Sequence, residues 1–168
     1  MEIVVAQAAK RVGESFAFEW SHRPAQQSFG GRVVRFEAPL HVKGSYVFDG
    51  GAFTVEARAD TVLASVCGRC GQPFSEPFAF SMTERFVRED AEDGETYPYA
   101  GDRLDLSQAI MDNLFLNLPI VSLCRPDCRG LCPVCGGDRN SRPCACDSRA
   151  AENPFSALSG LKDELKEV

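Results

Sequence analysis

Eight cysteines in four close pairs constrain this chain more than any other feature of its sequence: Cys67 and Cys70, Cys124 and Cys128, Cys132 and Cys135, Cys144 and Cys146. A two-residue gap, as in Cys67–Cys70 and Cys132–Cys135, lets a tight turn aim both sulfurs at one point, and four pairs make two tetrahedral sets. The stretches "CGRCG" and "CPVCG" share one form, with a glycine after the second cysteine where such a turn calls for a positive φ. The pattern points to metal. It does not separate zinc from iron, because a site of four sulfurs suits both.

Disulfides are a poorer reading of the same residues. A chain of 168 residues buries roughly 70% of its unfolded surface on folding and needs no crosslinks to do so. The N-terminal "MEIVVAQAAKRVGESF" places an acidic residue second and a short apolar run ahead of Lys10 and Arg11, the reverse of the order in an export signal. The expected setting is therefore the reducing cytoplasm, where paired cysteines bind metal more often than each other. No apolar run approaches the roughly 20 residues of a membrane span.

Four pairs can be joined two by two in three ways. Cys132 and Cys135 with Cys144 and Cys146 is the first choice, because only eight residues separate the two pairs and little loop entropy is lost. Its weak point is Cys-Ala-Cys, whose two sulfurs reach one ion only if the backbone bends. Cys67 and Cys70 are then left to meet Cys124 and Cys128, a site that would tie a sheet to the cysteine-rich segment. Joining Cys124 and Cys128 to Cys132 and Cys135 also closes short loops and stays open.

The first half of the chain reads as strands. Alternating apolar and polar residues run through "FAFEW", "RVVRFEAPLHV", "SYVF", "FTVEARADTVLASV" and "FAFSMTERF", punctuated by Gly30-Gly31, Gly44 and Gly50-Gly51. Together these predict an α+β fold: a strand-rich antiparallel sheet curling toward a barrel, with Cys67 and Cys70 at a hairpin tip. One helix is expected to cover the sheet, with Asp105 as N-cap, Gln108 completing a capping box, and Leu106, Ile110, Leu114 and Leu118 on its apolar face up to Pro119. A last helix is expected from Asn153 and Pro154, with Phe155, Leu158, Leu161 and Leu165 on one side. The acidic run Glu89 to Glu95 reads as a solvated loop. The resulting division is a β-rich domain with its covering helix (1–122), a metal-binding appendix (123–148) and a C-terminal helix (149–168).

Nothing in the sequence assembles a nucleophile, a base and an orienting group, and no phosphate loop or dinucleotide fingerprint is present. His22 and His41 are isolated, and Trp20 with its alternating phenylalanines reads as core. No enzyme and no small-molecule substrate is expected. A thiol-redox role for Cys67 and Cys70 would need a helix N-terminus that a hairpin tip lacks. "CRGLCPVC" has the cluster-binding spacing of radical S-adenosylmethionine enzymes, yet it falls late in a short, strand-rich chain. The net charge of −6 argues against bulk electrostatic binding to nucleic acid. Local candidates for RNA are Arg23, Arg32, Arg35 and Lys43, and, in the appendix, Arg125 and Arg129. The appendix arginines equally serve to offset the charge of about −2 that four thiolates around one zinc carry.

Taken together, "CGRCGQPF", "LDLSQAIMDNLFLNLPIVSLC", "DCRGLCPVCG", "CAC" and the tail from "NPFSAL" resemble the bacterial and plastid YceD family, the large ribosomal RNA subunit accumulation proteins. The resemblance covers roughly the C-terminal 100 residues. It departs at the polar stretch "GGDRNSRP" and at Asn153, and neither departure changes a sulfur. It implies a non-catalytic cytoplasmic protein that supports accumulation of large-subunit ribosomal RNA, with RNA, ribosomal proteins or assembly proteins as partners. Zinc, about two ions per chain, is the expectation from cysteine spacing alone. The competing readings are an iron-sulfur or thiol-redox protein, and a zinc-stabilised interaction module unrelated to ribosomes.

Overall fold

The computed structural model describes residues 1–88 and 96–146, without the side chains of Phe29 and Arg32. The described residues form two compact units, one within Met1–Ser65 and Pro73–Ser122, the other of Val66–Gln72 with 123–146. The expected C-terminal helix and the acidic run Glu89 to Glu95 lie outside the described residues.

The first unit is built on strands. In chain order they are β1 (Glu2–Val4), β2 (Ser15–His22), β3 (Gln27–Phe29), β4 (Arg32–Phe36), β5 (Leu40–Phe48), β6 (Ala52–Val66), β7 (Pro73–Arg88), β8 (Tyr97–Tyr99) and β9 (Arg103–Asp105). A short 3-10 turn at Ala8–Lys10 and α1 (Ser107–Asn117) are the helical elements among the described residues. β1 pairs with β9, and the other seven strands form one sheet running β2-β5-β6-β4-β3, with β7 joined to β6 and β8 joined to β7.

One expectation is corrected here. The sheet stays open and does not curl toward a barrel, because β2 ends one side and no ladder among the described residues closes it. The expected antiparallel pairing holds, with one parallel pair beside it, β7 with β8, where Phe86 stands opposite Tyr97. The run "RVVRFEAPLHV" also breaks into two strands at Glu37-Ala38-Pro39. Pro39 lacks the N–H a ladder needs, and the break is held to β6 by the Glu37 N–H on the Val62 carbonyl at 2.8 Å and by the Thr61 hydroxyl donating to the Ala38 carbonyl at 3.1 Å.

β6 is the organising strand. Its N-terminal part pairs with β5, from Phe53 opposite Phe48 to Asp60 opposite His41, while Leu63 and Ala64 pair with β4. Strict alternation puts Val55, Ala57, Ala59, Thr61 and Leu63 on the buried face and Glu56, Arg58 and Asp60 in solvent. Phe53 and Phe86 are fully buried, and Phe53 meets Tyr99 edge-on with ring centroids 5.3 Å apart. Each such ring contributes roughly 1.5–3 kcal/mol by leaving water.

Gly44 shows how tight the ladder is. A Cβ there would lie 2.1 Å from the Glu56 carbonyl oxygen and 2.8 Å from Ala57 Cα. Only glycine lets β5 approach β6 so closely, and Phe18 stands opposite on β2.

Helix α1 packs on β7, and its Ala109, Ile110 and Leu114 are fully buried. Asn113 is buried with them, and its Nδ2 donates to Glu84 Oε1 at 2.6 Å and to the Ala109 carbonyl at 3.0 Å. The Tyr97 hydroxyl donates to Asp112 Oδ2 at 3.0 Å; burial first, then the adjacent carboxylate, pushes its pKa up to about 12. The expected capping box does not form. The helix begins at Ser107 with Leu106 at the cap position, Asp105 accepts the Ser107 N–H from one residue further back at 2.9 Å, and Gln108 turns forward to Asp112 at 2.8 Å. Asp105 is committed to the β9 ladder opposite Glu2, which sets it back from the cap.

Gly44→Val should destabilise the first unit at the upper end of the roughly 1–3 kcal/mol that overpacking costs. A lowered urea midpoint with unchanged slope checks it; an unchanged midpoint would contradict the close approach.

Candidate metal centres

Both centres lie in the second unit. Cys67, Cys70, Cys124 and Cys128 bring their sulfurs within 4.8 Å of one another, and Cys132, Cys135, Cys144 and Cys146 do the same. In the first quartet the Cys67–Cys128 and Cys70–Cys124 sulfur separations are both 3.8 Å. A tetrahedron with metal–sulfur bonds of about 2.3 Å has edges of about 3.8 Å. The donor set therefore fits a four-coordinate ion, while a disulfide needs about 2.05 Å.

Each quartet contains the same local device. Gly71 donates its N–H to the Cys67 carbonyl at 2.8 Å, and Gly136 to the Cys132 carbonyl at 2.8 Å. The N–H of each first cysteine in turn reaches the carbonyl five residues on, Gln72 at 2.9 Å and Gly137 at 2.8 Å. This tight knuckle holds Gly71 at φ 71° and Gly136 at φ 70°, the left-handed region where a side chain is strained.

The knuckle also sets the electrostatics. The Cys124, Cys70 and Arg69 N–H groups converge on Cys67 and hold its thiol down to about 6. At Cys132 the Cys135 and Val134 N–H groups do the same, again to about 6. The later sulfurs behave oppositely. Burial, followed by the neighbouring sulfurs of Cys67 and Cys128, pushes Cys124 up to about 12, and hydrogen bonding with Cys135 and Cys144 pushes Cys146 up to about 12. Within each quartet one thiol is thus favoured as thiolate while a neighbouring sulfur, Cys124 or Cys146, resists ionising. A cation at the centre removes that resistance, which is the electrostatic demand a metal satisfies.

The quartets differ in exposure. Cys67, Cys70 and Cys128 are buried in the first, whereas Cys135 and Cys146 of the second are exposed.

Residues that spacing did not single out build the surroundings of the first quartet. Arg69 donates to the Pro126 and Cys128 carbonyls at 3.2 and 3.0 Å. Gly130 has φ 68°, and a Cβ there would lie 2.9 Å from the Arg69 carbonyl oxygen. Asn140 directs Nδ2 to Cys128 Sγ at 3.5 Å and accepts from the Arg125 guanidinium and the Arg129 N–H, both at 2.8 Å, on Oδ1. Asn140 belongs to the "GGDRNSRP" stretch, whose Asp-x-Asn pattern signals a turn but carries no hint of a sulfur contact.

The basic residues proposed from sequence divide between the two units. In the first unit, Arg23 donates to the Glu37 carbonyl at 2.6 Å and Arg35 to Gln26 at 3.0 Å. Arg32 opens β4. Lys43 is exposed on β5 between Glu19 of β2 and Arg58 of β6. In the second unit, Arg125 pairs with Asp127 at 3.5 Å besides its bond to Asn140, and Arg129 is exposed. No helix among the described residues is long and apolar enough to cross a membrane.

Comparison with known proteins places this architecture. An uncharacterized protein of Mycobacterium tuberculosis is 30% identical over 85% of this chain and 72% of its own length. A protein of Arabidopsis thaliana described as "Large ribosomal RNA subunit accumulation protein YCED homolog 1, chloroplastic" is 25% identical over 64% of this chain and 43% of its own. Its namesake in Zea mays is 26% identical over 66% and 49%. No solved structure matches the chain significantly. The model of the family "Large ribosomal RNA subunit accumulation protein YceD" matches residues 55–162, and the chain belongs to that family.

Proposed function

We propose that the chain is a non-catalytic, cytoplasmic zinc protein that supports accumulation of large-subunit ribosomal RNA by binding RNA or an assembly protein. The observation that carries this reading is that the family match, residues 55–162, encloses all eight cysteines. The family's description supplies the ribosomal role, and the two thiol quartets supply the metal-binding capacity. In this reading all eight cysteines are ligands, four to each of two zinc ions. Zinc then acts structurally, because a site closed by four protein sulfurs keeps no open position for substrate. Arg23, Arg32, Arg35, Lys43, Arg125 and Arg129 are the proposed contacts to RNA, with the two appendix arginines also offsetting the thiolate charge.

Elemental analysis of protein purified without added metal should return about two zinc atoms per chain; coloured, iron-bearing protein would move the assignment to the iron-sulfur reading. The ions should leave on acidification to about pH 3, where protons displace metal from every thiolate, including Cys67 and Cys132, whose thiols titrate near 6. They should return on neutralisation, and zinc retained at that pH would rule out thiolate ligation. Crosslinking in cells should recover large-subunit ribosomal RNA or ribosome assembly proteins. Recovery of neither would remove the ribosomal function while leaving the metal sites intact.

A further inference from the structure

The two quartets are close in sequence but unequal in protection, and one side chain connects them. Cys67, Cys70 and Cys128 are buried, Cys67 at 1% exposure, and the first quartet receives N–H groups from Arg69, Cys70 and Cys124 on Cys67 and from Gln72 on Cys70. The second quartet is opened by Cys135 and Cys146, which are exposed, while the N–H groups of Val134 and Cys135 face Cys132. An ion in the second quartet is therefore more accessible to a competing ligand than one in the first.

Asn140 lies in the loop that joins Cys135 to Cys144, so closing the second quartet sets its position. Its atoms work on the first. Oδ1 faces two groups that can only donate, the Arg125 guanidinium and the Arg129 N–H, both at 2.8 Å; this fixes the amide orientation and turns Nδ2 toward Cys128 Sγ at 3.5 Å and Asp138 Oδ1 at 2.7 Å. Arg125 and Arg129 flank Cys128 in sequence, so Asn140 holds both the sulfur and the backbone that presents it. Two more bonds carry the same link: Arg139 N–H to the Gly130 carbonyl at 3.0 Å, and Leu131 N–H to the Arg69 carbonyl of the first knuckle at 3.1 Å.

We propose that the quartets are a coupled pair: the exposed one is an exchangeable metal site whose occupancy controls how firmly the buried one holds its ion, with Asn140 as the coupling residue. Asn140 is a positioning residue, since it acts on a metal through Cys128. The inference rests on the metal reading above. Its consequence is a graded response to metal supply, in which the outer ion leaves first and its departure loosens the inner one.

The test is release of isotopically labelled zinc from the full chain into excess unlabelled zinc, which keeps the exposed quartet filled while the buried one exchanges, with labelled ions counted by native mass spectrometry. The wild-type chain should release two ions in two phases. Asn140→Ala should leave the fast phase unchanged and quicken the slow phase about tenfold, the low end of the effect of removing a hydrogen bond to a metal ligand. Replacing Cys144 and Cys146 together by Ser should abolish the fast phase and quicken the slow one to a similar degree, and adding Asn140→Ala in that background should then change little. Release in one phase, a slow phase untouched by Asn140→Ala, or fully additive effects would each overturn the coupling while leaving two metal sites standing. A chain that takes up no metal would overturn the metal reading and the coupling together.

Discussion

A thiolate placed beside other sulfurs inside a protein is an electrostatic problem, and the second unit is organised around it. The knuckle amides favour one negative sulfur in each quartet, at Cys67 and at Cys132, while burial and neighbouring sulfurs raise Cys124 and neighbouring sulfurs and burial raise Cys146. Such an arrangement is frustrated without a cation and relaxed with one. The positive-φ glycines at 71 and 136, the Arg69 contacts to the Cys128 backbone and the Asn140 bond to its sulfur all hold the sulfurs in a geometry that fits a cation.

The first unit solves a different problem. It buries aromatic side chains on one face of an open sheet, and its long strands β6 and β7 run on to the segment 66–72 that carries the first knuckle. Those strands are long because alternation persists without a break over "AFTVEARADTVLASV" and "PFSEPFAFSMTERF". Gly44 then sets how closely β5 joins them. Sulfur quartets that could hold metal and apolar packing thus divide the chain between them, the one set up by cysteine spacing and the other by period-two patterning.

Strand existence was readable from alternation because a half-buried sheet demands it. Closure was not, since it depends on whether the first and last strands find each other, a non-local matter that alternation does not encode; β2 remains an edge. The capping box at Asp105 failed for a related reason. Its spacing was right, but pairing with Glu2 in a strand 103 residues away in the chain claimed the residue.

Among the sulfurs, the sequence by itself determined that eight cysteines come as four pairs and that two of those pairs are glycine-terminated knuckles. These are local facts, set by a few bonds of backbone. Loop length favoured the two quartets that form but left one alternative open, and the tertiary structure decided it by carrying Cys67 and Cys70 to Cys124 and Cys128 across more than fifty residues. The structure alone revealed the unequal burial of the quartets and the reach of Asn140 to Cys128. Burial and hydrogen bonding between distant residues follow from how the loops pack, and no spacing in the chain records that.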